Sequence, residues 1–130
     1  MKKVKHRVIS IKVNALIDED ICGLVEALNL FPELQTIESC QGNKSNPCWI
    51  SFYYGDYRLK SWGKMAKFVF EYLGPRIMHK VGDGANIIIR VTGSGQIQGE
   101  LSVRKGAISA VIKSIRELYK EFVCSNYPLP

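Results

Sequence analysis

The sequence predicts an α/β fold of the α+β kind, a mixed sheet with three helices packed mainly on one face. Three observations predict it. Apolar residues recur at helical spacing in three segments, β-branched and aromatic runs lie between them, and glycine-rich turns separate the later runs. The predicted order is strand, helix, two strands, helix, two or three strands, helix. At 130 residues, the chain fits a single domain over residues 1–130.

Each of the three predicted helices has an apolar stripe. The first is expected to begin at Asp18, a good N-cap, and to stop before Pro32. The second is expected to begin near Ser61 and to end at Gly74 and Pro75. The third has the clearest stripe, formed by Ile108, Val111, Ile112, Ile115, Leu118, Tyr119 and Phe122.

Runs of β-branched and aromatic residues predict the strands. They cover residues 8–13, 34–38, 49–54, 77–81, 86–92 and 96–103. We expect a turn at residues 82–84 and a hairpin turn at residues 93–95. The second of these glycine runs leads into a strand, so no helix N-terminus follows it to hold a phosphate. A doubly wound nucleotide fold, which needs regular strand-helix alternation, is therefore disfavoured.

The net charge of +6 is unevenly divided along the chain. Residues 1–12 hold five bases and no acid, residues 13–43 hold six acids and no base, and residues 44–80 hold seven bases and two acids. The excess lies in an N-terminal arm and a central segment. Either region could meet phosphate, or it could simply face solvent.

Composition also bears on location. No apolar run approaches the roughly 20 residues of a membrane-spanning helix, so no membrane partner is expected. The basic start is not followed by the apolar stretch of a secretory signal. Four cysteines without Cys-x-x-Cys spacing are typical of reduced thiols. We therefore predict a cytoplasmic protein; the sequence does not indicate its oligomeric state.

A polar loop follows the strand that ends near Cys40. The candidate ligand-binding residues of this loop are Ser39, Cys40, Gln41, Gly42 and Asn43. Their side chains, with backbone N–H groups freed by the glycine, could line a small pocket for an anion or a base edge. A plain structural turn is the alternative. Glu38 disfavours a nucleophilic thiolate at Cys40, and no catalytic residue is assigned.

No metal site is predicted. Cys40 and Cys48 are separated by seven residues, whereas structural zinc sites pair ligands two to four residues apart. His6 and His79 each occur alone in the sequence.

Aromatic and basic residues are interleaved after the loop. The candidate nucleic-acid-binding residues are Trp49, Tyr53, Arg58, Lys60 and Lys64. Exposed bases stack on aromatic rings while lysine and arginine neutralise phosphate. Strand alternation would place Trp49 and Tyr53 on one face, with Phe52 and Tyr54 on the other. The alternative is that these aromatics only cover the sheet and that Trp62 belongs to the apolar helix stripe.

Residues 18–52, including Thr36, Ser39, Cys40 and Gly42, resemble the wybutosine-synthesizing tRNA methyltransferase family. That family has an acidic helix start and a strand running into a Thr-x-x-Ser-Cys-x-Gly loop. The resemblance implies S-adenosylmethionine as cofactor, transfer RNA as substrate and the loop as part of the active-site region. Asn43 stands where the family usually has arginine, and Arg90 on a later strand is a candidate substitute cation.

Two hypotheses about function result. The first is a small cytoplasmic protein that resembles a tRNA-modification methyltransferase and binds a nucleotide, S-adenosylmethionine, transfer RNA or another RNA at the 39–43 loop. If the protein is an enzyme, it is an S-adenosylmethionine-dependent RNA methyltransferase. The alternative is a non-catalytic interaction module that retains the fold.

Overall fold

A computed structural model describes residues 15–42 and 46–125 of the chain. The predicted first strand, residues 8–13, and the candidate site residue Asn43 lie outside the described residues.

The described residues contain three long helical segments, the middle one made of several consecutive helices, and four strands. Helix α1 (Ala15–Leu28) is followed by strands β1 (Leu34–Cys40) and β2 (Cys48–Tyr54). The middle one consists of α2 (Trp62–Lys67), a π-helical segment (Phe68–Leu73) and α3 (Gly74–Val81). Strands β3 (Ala85–Val91) and β4 (Ile97–Val103) and helix α4 (Ile108–Ser125) complete it. None of these helices is long and apolar enough to cross a membrane.

The four strands form one sheet in the order β1-β2-β4-β3, and the α/β fold class is confirmed. Every pairing between described strands is antiparallel, although we expected a mixed sheet. The reason lies in the helical crossover from β2 to β3. These two strands run parallel to each other, as a crossover requires, but β4 lies between them and pairs with both in the antiparallel sense.

The middle helix continues past the point where we expected it to end, so the predicted strand at residues 77–81 is wrong. The chain remains helical at Gly74, whose N–H donates to the Val69 carbonyl five residues back. A Cβ at Gly74 would lie 2.6 Å from that oxygen, so only glycine fits there. The π turn absorbs one extra residue, and Pro75 then stands in the first turn of α3, where its missing N–H costs nothing.

Two turn predictions have different outcomes. Residues 82–84 link α3 to β3 and do not join two strands. The predicted hairpin at residues 93–95 is confirmed, with the Gly95 N–H donating to the Thr92 carbonyl at 3.0 Å. Gly95 has φ +79°, a conformation that suits glycine.

The core lies between one face of the sheet and the helices. Its strand residues alternate along β2 and β4, as in Ile50, Phe52 and Leu101, all fully buried. Phe68 of the π-helical segment stacks on Tyr54 with ring centroids 3.9 Å apart. The predicted stripe of α4 is confirmed, because its residues are buried or packed against the core. Helix α1 already includes Ala15, three residues before the expected start at Asp18, and alanine and leucine favour a helix there.

Candidate nucleic-acid interface

Strand β2 has two faces of opposite character. Ile50, Phe52 and Tyr54 are fully buried in the core. Trp49 and Tyr53 lie between them in sequence, so their side chains project from the other face, and both are partly exposed. The predicted division of the aromatics between two faces is therefore confirmed. We call the face that carries Trp49 and Tyr53 the outer face.

Strand pairing shows which residues neighbour these aromatics. Trp49 is paired with Cys40 of β1 and with Ser102 of β4. Tyr53 is paired with Gln35. The four steps along the strand from Trp49 to Tyr53 span about 13 Å. The residues that carry the two rings are therefore about 13 Å apart, so each ring can stack a different base.

Ser51 lies between the two aromatics and is fully buried. It is paired with Glu38 on one side and Glu100 on the other. Among the described residues, its hydroxyl has no hydrogen-bond partner. Buried polar groups are nearly always satisfied, so this hydroxyl is suited to a buried water.

The polar loop begins at the Trp49 end of the outer face. Cys40 is exposed and lies beside Trp49, whereas Ser39 is paired with Ile50 and projects toward the core side. The Oε1 atom of Gln41 is buried without a partner in the described part of the chain. Gly42 has φ +73°, and an added Cβ would lie 2.5 Å from the Asn46 carbonyl oxygen. The structure thus joins Cys40 to the aromatic site but directs Ser39 away from it.

A groove opens at the Tyr53 end of the outer face. Its volume is about 530 Å³, and it is lined by Pro32, Glu33, Leu34, Gln35, Tyr53, Gly55 and Tyr57. The Tyr53 and Tyr57 rings are 5.5 Å apart and inclined at 45°. The outer face therefore has a concave end in which two contacting aromatic rings form one wall.

The three predicted cations follow the groove residues Gly55 and Tyr57 in sequence or lie next to them, and they differ in their ion pairs. Arg58 forms a salt bridge with Asp56 at 2.7 Å, and Lys64 forms one with Glu33 at 2.9 Å. Lys60 is exposed and forms no ion pair within residues 15–42 and 46–125. Hydrogen bonds from Arg58 lower the pKa of Asp56 to about 2. Lys60 is consequently the least engaged of the three cations.

Arg90 is far from the polar loop. It lies on β3, three strands away from β1, which is a lateral distance of about 14 Å. Its guanidinium donates to Glu100 at 3.0 Å. The structure therefore does not bring Arg90 to the side chains of residues 39–42. The prediction that it replaces the family's arginine at that loop is not supported.

Two residues of the outer face are not predicted from the sequence, and one aromatic residue is predicted in the wrong place. Gln35 and Ser51 belong to the outer face; the alternation along their strands was the available signal, but neither is aromatic or charged. Trp62 is 61% exposed, so the interpretation that placed it in the apolar stripe is wrong. It is the first residue of α2, one turn before Met65 reaches the core.

Within the described residues, no group of three or more histidine, cysteine, aspartate or glutamate side chains is placed to hold a metal ion. No disulfide bond joins any of the four cysteines. The sequence matches no protein-family model, no curated protein and no solved structure. The resemblance to the wybutosine-synthesizing family accordingly stays a prediction from the residues that carry it.

Proposed function

We propose that the protein binds single-stranded RNA across the outer face of its sheet. The observation that carries the proposal is the pair of partly exposed rings, Trp49 and Tyr53, on a face that the core leaves free. Base stacking on aromatic side chains contributes about 1–3 kcal/mol per base and tolerates any sequence. Single-stranded RNA exposes the faces of its bases, whereas a duplex hides them.

Polar and charged groups support the same ligand. Gln35, which is paired with Tyr53, can donate to and accept from base edges beside that ring. Lys60 is available for phosphate at the groove end, with Arg58 and Lys64 nearby in ion pairs that phosphate can compete for. Glu38 and Glu100 lie on the same face beside Ser51, so the backbone of the RNA is expected at the rim and its bases at the centre.

Fluorescence anisotropy with a labelled single-stranded RNA tests the proposal. Trp49→Ala and Tyr53→Ala are each expected to weaken binding by about 5- to 150-fold, the equivalent of one stacked base. Trp62→Ala is the matched control, because it removes the protein's other tryptophan from α2. An equal loss from all three variants, or from none, would contradict the proposal.

The second candidate function is transfer of a methyl group from S-adenosylmethionine to RNA at residues 39–42. The resemblance suggests it, and two features of the loop favour a ligand there. The buried Gln41 Oε1 lacks a partner among the described residues, and exposed Cys40 adjoins Trp49. RNA on the outer face would then reach the loop directly.

A thermal-shift titration with S-adenosylmethionine and S-adenosylhomocysteine tests this second candidate. A ligand that binds the folded protein adds about 2.7 kcal/mol of stability at a hundredfold excess over its Kd. We expect a shift that Gln41→Ala weakens. If neither compound shifts the transition while RNA binds, the protein is an RNA-binding module without this activity. If RNA does not bind either, the non-catalytic protein-interaction module becomes the better hypothesis.

A further inference from the structure

Strand β3 forms one edge of the sheet. It pairs with β4 over its whole length, from Ala85 opposite Val103 to Val91 opposite Ile97, without a bulge. No other described strand lies on its outer side. The edge is therefore straight and seven residues long.

The hydrogen bonds next to β3 show which of its backbone groups point outward. The Thr92 N–H donates to the Gln96 carbonyl, and the Gly84 carbonyl accepts from Arg104, so even-numbered residues face β4. Because backbone groups alternate along a strand, the N–H and C=O groups of Ile87, Ile89 and Val91 face away from the sheet.

Within residues 15–42 and 46–125, β3 lacks the usual protections that its own sequence and pairing could supply. Proteins protect such edges with proline, lysine, bulges or short length. Residues 85–91 contain neither proline nor lysine. The single charge, on Arg90, is paired with Glu100 of the neighbouring strand. Ile88 and Val91 are 46% and 62% exposed, which is unusual for apolar residues on an unprotected edge.

We propose that β3 pairs with β3 of a second copy of this chain, antiparallel and about a two-fold axis at Ile89. In this register Ile89 faces its own equivalent, and the two residues exchange both backbone hydrogen bonds. Ile87 of each copy then faces Val91 of the other, which covers Val91. Ile88 faces Arg90, so no like charges meet.

The side chains select this register over the nearest alternatives. The nearest registers have the two-fold axis at Ile88 or at Arg90. The first would place Val91 opposite the smaller Ala85, and the second would place the two Arg90 charges opposite each other. The axis at Ile89 is therefore the register that packs the larger Ile87 against the exposed valine of each copy without a pair of like charges.

The pairing would join the four described strands of each copy into one continuous sheet. Side chains of both copies keep their faces in such a sheet, so the two outer faces would lie side by side. The inference does not rest on RNA binding, because backbone groups and apolar side chains of β3 carry it.

Sedimentation velocity of the full chain over a hundredfold range of concentration tests the proposal. The mass is expected to rise from one chain to two. Val91→Lys should keep the protein at one chain, whereas Val123→Lys, the same change at a valine 57% exposed on α4, should leave association unchanged. A mass of one chain throughout would overturn the proposal, and so would equal effects of the two variants.

Amide hydrogen exchange tests the proposal on the unmodified protein, so the result does not depend on whether a variant folds. The N–H groups of Ile88 and Arg90 are expected to be protected at every concentration. Those of Ile87, Ile89 and Val91 should become protected only at concentrations where two chains associate. Rapid exchange of these three at high concentration would overturn the proposal, as would protection at concentrations where the protein is a single chain.

Discussion

The two faces of strand β2 differ although their residues are consecutive in sequence. Phe52 is fully buried against the helices, and the next residue, Tyr53, lies on the outer face beside Gln35. One face stabilises the fold by burying apolar area, and the other leaves aromatic rings accessible. The comparison teaches that stability and binding can be separated by substituting neighbouring residues of a single strand.

The largest expected difference between the faces is in stability. Phe52→Ala should lower the free energy of unfolding by about 3–5 kcal/mol, because it leaves a cavity beside Phe68. Tyr53→Ala should cost about 1 kcal/mol or less. Urea denaturation of both variants measures the difference. Equal losses would show that the outer face is also part of the core.

A second test adds volume to the core face instead of removing it. A Cβ at Gly99 would lie 2.5 Å from Cζ of Phe52, so Gly99→Ala should destabilise the protein by about 1–3 kcal/mol. Gly93→Ala is the control, since a Cβ at Gly93 meets no atom within 4 Å. If the two variants unfold at the same urea concentration, the packing of Gly99 against Phe52 does not contribute as described.

The salt dependence of RNA binding sharpens the account of the outer face. Lys60→Gln should remove one phosphate contact and reduce the slope of log K against log salt by about 0.7. Lys113→Gln, on the exposed side of α4, should leave the slope unchanged. Anisotropy titrations at several salt concentrations measure both. A slope changed only by Lys113→Gln would place the RNA on the helices.

The smallest expected effect concerns Arg58, one of the two predicted cations that are already paired. Because Arg58 lowers the pKa of Asp56 to about 2, this carboxylate stabilises the folded protein above its ordinary pKa. The contribution is lost as the pH falls through about 2. Arg58→Gln should move the titration of Asp56 back toward 3.8, as read from its carboxyl NMR signal. Titration of Asp56 near pH 2 in the variant would show that Arg58 is not the cause.

Much of the fold follows from local patterns. The apolar stripe of α4 predicts which face of the helix is buried, and the alternation along β2 predicts which face of the strand is buried. Both predictions are confirmed. The helix through Pro75 could not be predicted, because proline normally ends a helix and only the π turn allows it to continue. The order of the strands also depends on contacts distant in sequence, which periodicity does not contain.

The candidate site was predictable to a smaller extent. Trp49 and Tyr53 carry a signal in their residue type and spacing, and the structure brings both to one face. Arg90 is the substitute cation that the resemblance suggests for the loop, but strand order separates it from β1 by two intervening strands. Whether a polar residue such as Ser51 is buried depends on its neighbours across the sheet, so its own sequence context does not reveal it.

The most direct test of the central claim uses the indole N–H signals of the protein's two tryptophans. In a two-dimensional NMR titration with single-stranded RNA, the Trp49 signal is expected to shift strongly because its ring stacks on a base. The Trp62 signal on α2 should stay in place. A shift of Trp62 without Trp49, or no shift of either at saturating RNA, would contradict RNA binding on the outer face.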